Sequence, residues 1–341
     1  MPNSISTTLS RRTRVAASLA SGAALVSHPH VSAQNATPAD AGWSYTDVLG
    51  RTITLPSAPT SIAAQIGTAA SLWDFGVEVS TVFGWTAANY PDGDHVAWGS
   101  IDVSKVEMVS NVDASFNLEA LILQEPEIIV TWCWDRELGL EALADVDSSI
   151  LDQLQEIAPI MVIRQGDDNE VELGLHEAFA AALGADIESV DLEEARETYA
   201  SRVAEVSAIA QARSEISVLF GSFGEAEGFY VAGPDYVSDL GQLRSLGVNI
   251  ANDGSPTSTS YWEMLSYEQA LLYPSDVIFV DQYGSAKTLE DLRELTTINM
   301  HPAVEAGQVG PWKRDLPISY QGLTEFLDSV LDQLRVAEKV S

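Results

Sequence analysis

Large aromatic side chains and a few arginines follow several of the segments that read as β-strands. In open α/β sheets a ligand binds beyond the carboxyl ends of the strands, so side chains at these points are candidates for a binding site. Rigid rings with a few polar tips suit an amphipathic ligand, and Arg can meet an anionic or carbonyl edge. The candidate ligand-binding residues are Trp85, Tyr90, Trp98, Trp132, Trp134, Arg136, Phe223, Tyr230, Trp262, Tyr283, Trp312 and Arg314. Packing in a core or loop would explain each ring by itself, but we expect four or more of them to touch the ligand.

The sequence lacks the patterns of a catalytic site or of a bare-metal site. Gly221-Ser222-Phe223-Gly224 resembles a nucleophile turn, but Phe220 stands where Gly-x-Ser-x-Gly needs its first Gly. Neither Cys-x-x-Cys nor a phosphate-binding loop occurs. Beyond the N-terminal segment the histidines are widely separated, which argues against a His-rich zinc or manganese site: they are His95, His176 and His301. We therefore expect a non-enzymatic binding protein without a metal of its own, and an exported enzyme or a pure scaffold protein is a distant alternative.

Two segments of similar pattern, residues 117–130 and 266–279, form a weak internal repeat. In each, a helix-capping residue (Asn117 or Ser266) precedes a Glu (Glu119 or Glu268) by two positions, and a short helix, a Pro and a β-rich run follow. A cap and a Glu in the first turn suit a helix start, so the local chemistry explains both Glu residues without a function. The alternative is that the two segments present matched carboxylates, one on each of two lobes, to a partner with Arg pockets.

Helix-like and strand-like segments alternate from Tyr45 onward, which predicts α/β lobes. Apolar residues at helical spacing predict one long helix over 192–213 between two such alternations. We therefore predict a signal peptide at 1–33, a disordered tether at 34–43, an N-terminal lobe at 44–189, an inter-lobe helix at 190–213 and a C-terminal lobe at 214–341.

The N-terminus has the three-part layout of a secretory signal. Arg11-Arg12 precedes a weakly apolar run over 15–26, and Val31-Ser32-Ala33 offers a cleavage site. The paired arginines favour twin-arginine export, with the general secretory route as the alternative. Because no Cys lies near this site, we expect a protein that is soluble in the periplasm or at the extracytoplasmic surface after cleavage.

The chain is strongly acidic, with a formal net charge of -33. Such a surface repels nucleic acid and anionic lipid, so neither is an expected partner. Its single cysteine, Cys133, excludes an internal disulfide framework and reads as a small buried residue.

The chain resembles the binding proteins with a rigid helical backbone between two lobes, which serve ABC importers for ferric siderophores, cobalamin and haem. The matching stretches are residues 47–56 with Pro59, both repeat segments, 154–159, Tyr261-Trp262 before Leu265-Ser266, 301–304, 307–309 and the last helix. Their order, rather than any one motif, carries the resemblance. Two departures are Ser61, where a basic residue is usual, and residues 112–116, where some hydroxamate binders have an Arg.

The resemblance implies a class III periplasmic-binding-protein fold of two Rossmann-like lobes joined by one long rigid helix. It implies a monomer that binds an iron-siderophore-type chelate between the lobes, with cobalamin or haem as the alternative ligands. Glu119 and Glu268 would dock on the ABC permease, which works with its ATPase. No cofactor is expected, and iron would enter only as part of the chelate. Because a triply anionic catecholate calls for several basic residues and few are present, a neutral or cationic hydroxamate-type chelate fits better.

Overall fold

The computed structural model describes residues 42–111, 115–133, 138–164, 168–223, 228–282 and 287–341. The predicted signal and most of the predicted tether lie outside these residues. Trp43, predicted to end the tether, instead begins the first strand. Its ring packs against Phe179, and its indole N–H donates to the carbonyl oxygen of Ala182 at 2.7 Å. The tether prediction was therefore wrong at Trp43, because this residue is anchored on the first lobe.

The first lobe contains an antiparallel hairpin and a five-stranded parallel sheet. The hairpin turns just after its first strand, where the side chain of Asp47 accepts the N–H groups of Leu49 and Arg51. The strands are β1 (Trp43–Thr46), β2 (Thr52–Leu55), β3 (Ile62–Gln65), β4 (Thr81–Phe83), β5 (Glu107–Met108), β6 (Ile128–Cys133) and β7 (Ile160–Arg164). In the parallel sheet the order is β5-β4-β3-β6-β7, and β1 pairs with β2.

Helices cover the faces of this sheet, and its central strands β3 and β6 are accordingly almost continuous apolar runs that are buried except at Trp132. The α-helices are α1 (Ile66–Asp74), α2 (Trp85–Asn89), α3 (Leu118–Leu123), α4 (Leu151–Ile157) and α5 (Asn169–Ala182). Short 3-10 helices lie at Val96–Trp98, Val103–Lys105, Gly139–Ala142 and Ser148–Ile150.

A 23-residue helix, α6 (Val190–Ala212), connects the two lobes. It begins at Ser189, whose hydroxyl accepts the N–H of Leu192 at 3.4 Å. Its buried face includes Tyr199 and Val206. At 1.5 Å per residue such a helix is roughly 35 Å long, so it spans the lobes as one continuous element.

The second lobe is built on a mixed six-stranded sheet. Its strands are β8 (Ser217–Phe223), β9 (Phe229–Ala232), β10 (Asn249–Ile250), β11 (Trp262–Leu265), β12 (Val277–Asp281) and β13 (Val309–Trp312). The order is β11-β9-β8-β12-β13, with β10 also beside β8. Strand β9 pairs antiparallel with both β8 and β11, and the other pairs are parallel. The helices are α7 (Ser238–Ser245), α8 (Tyr267–Ala270), α9 (Leu289–Glu294), α10 (Pro302–Ala306) and α11 (Tyr320–Val336), with 3-10 helices at Pro256–Thr259 and Ile298–Met300.

The final helix α11 packs along α6. The rings of Tyr199 and Tyr320 lie 5.8 Å apart, and the guanidinium of Arg202 pairs with Asp328. Two α/β lobes, each with its own sheet, are thus joined by one long helix that α11 braces. This arrangement confirms the predicted class III periplasmic-binding-protein fold. No helix in the described ranges combines the length and apolar character needed to cross a bilayer.

Candidate functional site

A cavity of about 480 Å³ opens between the two lobes. Small-molecule sites commonly have volumes of roughly 300–1,000 Å³. The first lobe supplies its wall from the carboxyl ends of β3 and β6, the first turns of α1 and one face of α5, and the second lobe supplies the start of β11 and the loop after β13. The cavity therefore lies where the fold of an open α/β sheet places a ligand.

Gln65 and Asp145 form the polar part of the first lobe's wall. Gln65 ends β3 and caps α1, since its side-chain oxygen accepts the N–H of Gly67 at 2.8 Å. Its amide then donates to Oδ2 of Asp145 at 2.9 Å, while Oδ1 accepts the N–H of Trp85 at 3.2 Å. Burial raises the pKa of Asp145, the two hydrogen bonds lower it, and the nearby Asp315 raises it again.

Gly84 makes room for this carboxylate. It has a φ of 126°, which side-chain-bearing residues rarely adopt, and a Cβ at this position would lie only 2.8 Å from Oδ2 of Asp145. Asp145 itself has a φ of 57° in the left-handed region, which Asp and Asn tolerate best among residues with a side chain. The backbone at both positions is thus shaped around one carboxyl group at the cavity.

Arg314 is the central charged group of the second lobe's wall. Its side chain is 18% exposed and lies over the ring of Trp262, 5.8 Å from the ring centroid. Its Nε donates to Oδ2 of Asp281 at 3.3 Å, and its Nη1 forms an ion pair with Oδ1 of Asp315 at 3.0 Å. Burial lowers the pKa of Arg314, but Asp315, Tyr261 and Asp281 together raise it well above its usual value. The guanidinium therefore stays charged at the cavity.

The loop that carries Arg314 is fastened to the other lobe. The N–H of Ile318 donates to the hydroxyl of Ser71 at 2.9 Å, and the hydroxyl of Ser319 donates to Oδ2 of Asp74 at 2.5 Å. Ser71 and Asp74 belong to α1 of the first lobe. We call residues 314–319 the bridging loop, because it joins the two lobes across one side of the cavity.

Glu172 and His176 lie on the face of α5 that lines the cavity. Both residues are almost completely buried, and Nδ1 of His176 lies 2.8 Å from the carbonyl oxygen of Glu172. Burial lowers the pKa of His176 to about 4, although the Glu172 carbonyl opposes this shift. At neutral pH the imidazole is therefore uncharged.

Three of the predicted ligand-binding residues, Trp132, Trp262 and Arg314, line this cavity together. Trp132 comes from the first lobe and the other two come from the second, so both lobes contribute to this part of the lining. This is the part of the predicted set that the structure brings together.

The other described members of the predicted set lie outside the cavity lining. Trp312 is 0% exposed and supports Trp262 from beneath, with ring centroids 5.8 Å apart. Trp98 is buried and donates its indole N–H to the carbonyl oxygen of Tyr90.

Three further predicted rings are held in aromatic pairs or in the sheet. Phe223 is buried against Phe229, Trp85 packs edge-on against Tyr90, and Tyr230 lies within β9. Trp134, Arg136 and Tyr283 lie outside the described residues.

Six residues that line the cavity were not among the residues predicted to bind the ligand. They are Gln65, Asp145, Glu172, His176, Tyr261 and Asp315. Gln65 directly follows an apolar strand, and Tyr261 and Asp315 adjoin predicted residues, so position along the chain could have indicated these three. Asp145 and Glu172 are two of 50 acidic residues, and nothing in the sequence distinguishes them.

The two predicted docking glutamates occupy equivalent positions in the two lobes. Asn117 caps α3 by accepting the N–H of Ala120 at 3.1 Å, and Ser266 caps α8 by accepting the N–H of Gln269 at 3.2 Å. Glu119 and Glu268 are the second residues of these helices, and both are exposed. Each helix leads through a Pro into a central strand, β6 or β12, as the repeat predicted.

Exposed apolar side chains lie on the same short segments as these glutamates. Leu123 at the end of α3 is 79% exposed, and Leu272 just after α8 is 74% exposed. Ile122 and Met264 are exposed as well.

Within the ranges that the structure describes, no group of three or more His, Cys, Asp and Glu side chains is arranged to hold a metal ion. No protein-family model matches the chain, and no curated protein sequence matches it.

Solved structures resemble the chain closely. DesE, a ferric-siderophore receptor protein from Streptomyces coelicolor, is 33% identical, with a TM-score of 0.78 over 88% of this chain and 100% of that one. The siderophore periplasmic binding protein from the fuscachelin gene cluster of Thermobifida fusca is 24% identical, with a TM-score of 0.58 over 82% and 97%. Staphylococcus aureus SirA, complexed with staphyloferrin B, is 19% identical, with a TM-score of 0.60 over 87% and 99%.

The two more distant structures share the fold, whereas the Streptomyces receptor is related over its whole length. This chain, like the Streptomyces receptor, is a binding protein and not an enzyme. It belongs to the family of binding proteins with a helical backbone between two lobes, which serve ABC importers for ferric siderophores, cobalamin and haem.

Proposed function

We propose that this protein is an extracytoplasmic receptor that binds a ferric siderophore between its lobes and delivers it to the permease of an ABC importer. The observation that carries the proposal is the inter-lobe cavity that Trp132, Trp262 and Arg314 line together, in a chain related throughout to a ferric-siderophore receptor. The rings suit the apolar parts of a chelate, and the guanidinium suits the oxygen atoms around the iron. In this proposal iron enters only inside the chelate.

The most direct test is a titration of the protein's tryptophan fluorescence with ferric trihydroxamate, ferric tricatecholate and ferric carboxylate chelates, cobalamin and haem. We expect saturable quenching at one ligand per protein by a ferric siderophore, because two indoles line the cavity. Stronger binding of cobalamin or haem than of every ferric chelate would replace the proposed ligand class. Absence of quenching by the whole panel would contradict the proposal.

We propose further that Glu119 and Glu268 dock on the permease, whose ATPase then drives import. Both carboxylates are exposed at matched helix starts and have exposed apolar neighbours, Leu123 and Leu272. A receptor that acts as a monomer can place one such pair across a two-fold permease. In this arrangement the two carboxylates meet basic pockets, and the apolar side chains add contact area.

If Glu119 and Glu268 dock on the permease, replacing them should impair transport without changing the affinity for the chelate. In the Glu119→Ala, Glu268→Ala double variant, uptake of chelated radioactive iron through the cognate importer should fall at least about ten-fold, as loss of interfacial charge pairs implies. The chelate affinity should stay unchanged, because neither residue lines the cavity.

A matched control exists in the same chain. Asp191 of α6 and Glu290 of α9 are also exposed acidic residues at the second position of a capped helix. The Asp191→Ala, Glu290→Ala variant changes the net charge by the same amount and should transport normally. Equal loss of transport in both double variants would indicate a general effect of charge rather than docking by Glu119 and Glu268.

A further inference from the structure

A fully buried tryptophan, Trp312, packs against the cavity wall from inside the second lobe. It ends β13, and its ring centroid lies 5.8 Å from that of Trp262, which lines the cavity. The guanidinium of Arg314 lies over the same Trp262 ring. Trp312 therefore contacts a group that lines the cavity without lining the cavity itself.

Trp312 is held in one orientation by contacts around its ring. The ring meets that of Phe220 edge-on, with centroids 5.4 Å apart, and Phe220 stacks on Phe279 at 4.5 Å. The indole N–H donates to Oδ2 of Asp239 at 2.7 Å. Because an indole has a single N–H donor, the position of its acceptor decides which way round the ring lies. The aromatic neighbours thus restrict the ring plane, and Asp239 fixes its direction.

Asp239 is itself held by the first lobe. Its Oδ1 accepts the side-chain amide of Asn169 at 2.9 Å, and the same amide donates to the side-chain oxygen of Gln242 at 3.2 Å. Gln242 donates in turn to the hydroxyl of Tyr199 on α6. Asn169 begins α5, the helix that lines the cavity from the first lobe. A buried hydrogen-bond network of this kind keeps its members in place, so the orientation of Trp312 is tied to both lobes.

We propose that Asp239 and Trp312 are positioning residues for ligand binding, and that the hydrogen bond between them sets the orientation of Trp262 beside Arg314 in the cavity. This inference rests on the proposed function and adds two residues that act without touching the chelate. Side chains of a binding site must be held to within about 0.5 Å by the residues around them. A ring that is already held in place loses less conformational entropy when a ligand binds, which increases the affinity.

Calorimetric titration of the full mature protein with a linear ferric trihydroxamate tests the proposal. If the wild type binds a ferric tricatecholate or a ferric carboxylate more tightly, that chelate replaces it as the probe. Trp312→Phe keeps an aromatic ring but lacks the donor, and Asp239→Ala removes the acceptor. Each should weaken binding about five- to ten-fold, as expected from the loss of one buried hydrogen bond.

Two further variants are expected to bind like the wild type. Asp239→Asn removes the charge but keeps an oxygen that can accept the indole N–H of Trp312, so it should retain the wild-type affinity. Trp43→Phe is the matched control for the tryptophan, because it removes an indole hydrogen bond of the same 2.7 Å length from another buried ring outside the cavity lining. Thermal unfolding of each variant verifies that it is folded.

A Trp262→Ala background distinguishes positioning from general damage to the fold. Without the ring of Trp262, Trp312→Phe and Asp239→Ala should each change the affinity less than about two-fold, because their effects act through that ring and are not additive with its loss.

Circular dichroism measures the ring geometry without any ligand. Two indoles with centroids 5.8 Å apart couple, so Trp262→Phe and Trp312→Phe should remove the same band. Asp239→Ala should weaken this band, and Asp239→Asn should keep it.

The outcomes separate this inference from the function on which it rests. Equal losses of affinity in Asp239→Asn and Asp239→Ala would show that the charge matters rather than the hydrogen bond, and would overturn the proposal. Equal losses with and without Trp262, or an unchanged dichroism band in Asp239→Ala, would also overturn it and leave the receptor function intact. Failure of the wild type to bind any of the three ferric chelates would overturn the proposed function, and the dichroism band would still decide whether Asp239 orients the two rings.

Discussion

At the scale of single residues, Asp239 shows how burial changes a carboxyl group that does not touch the ligand cavity. It lies at the start of α7, where Oδ2 accepts the indole N–H of Trp312 at 2.7 Å and Oδ1 accepts the amide of Asn169 at 2.9 Å. Burial raises the pKa of Asp239 to about 6, although these hydrogen bonds lower it. The carbonyl oxygen of the Asn169 side chain is buried without a partner nearby.

We predict that Asp239→Asn stabilises the protein at neutral pH. Between pH 3.8 and about 6 the unfolded chain releases the Asp239 proton before the folded chain does, so the wild type loses stability as the pH rises through this window. Raising a carboxyl pKa from 3.8 to about 6 corresponds to at most roughly 3 kcal/mol. Asn cannot ionise. If its amide nitrogen takes the place of Oδ1, a 180° turn of the Asn169 amide lets the unpartnered oxygen of Asn169 accept from it, with loss of the Asn169 bond to Gln242.

Urea unfolding from pH 4 to pH 7.5 measures this effect. The variant should exceed the wild type by about 1–3 kcal/mol at pH 7.5, and the difference should vanish towards pH 4. His176 acts in the opposite direction, because its pKa of about 4 makes both proteins lose stability as the pH falls below about 6.5, and this effect cancels in the comparison. A variant destabilised equally at every pH would mean that the hydrogen bonds require a carboxylate.

A second prediction concerns which indoles report ligand binding. Trp132→Phe and Trp262→Phe should each lower the amplitude of ligand-induced quenching, because both rings line the cavity. Trp73→Phe should keep the wild-type amplitude, since its indole donates to the carbonyl oxygen of Val79 within the first lobe, outside the cavity lining. Quenching lost only in the Trp73 variant would place the ligand elsewhere.

At the scale of elements, Arg213 holds the end of one helix against the end of another. It is the capping residue after α6, and its guanidinium donates to the carbonyl oxygens of Leu334, Arg335 and Ala337 at the end of α11. The last carbonyl groups of a helix have no partner within it, so an Arg in this position satisfies several acceptors at once.

We predict that Arg213→Ala lowers the free energy of unfolding by about 1–3 kcal/mol, because it leaves these carbonyl oxygens without donors. Arg335→Ala is the matched control: this Arg pairs with Glu205 and Asp332 on the surface of the same helix pair, and its removal should change stability little. Thermal and urea unfolding of both variants measure the contrast, and similar losses in the two would show that charge rather than capping matters.

The elements were largely predictable where several local signals agree. The repeat, with its caps, prolines and apolar runs, locates α3, β6, α8 and β12, and periodic apolar residues ended by Arg213 locate α6. Strands β9 and β11 were not predicted, because these short segments form through pairing with β8 and with each other rather than through a strong pattern. For the cavity, aromatic residues after strands were a useful signal, but a ring that lines a cleft and a ring that supports it, such as Trp262 and Trp312, look alike in sequence.

At the scale of the whole molecule, the net charge of -33 should make stability depend on salt. Like charges repel most strongly in the compact state, and salt reduces this repulsion as the Debye length falls from about 10 Å at 0.1 M to about 3 Å at 1 M. The melting temperature should therefore rise with NaCl and equally with KCl. A melting temperature that stays constant or falls over this range would contradict the prediction.

The bridging loop affects how well the proposed importer could distinguish an empty receptor from a loaded one. Because this loop is hydrogen-bonded to α1 and α6 is continuous between the lobes, we expect the empty and the loaded protein to have nearly the same outline. The proposed importer could then hardly distinguish an empty receptor from a loaded one by shape. Empty receptors would therefore compete with loaded ones for binding to the permease. At a fixed, limiting amount of ligand, the transport rate should pass through a maximum and then decline as more receptor is added.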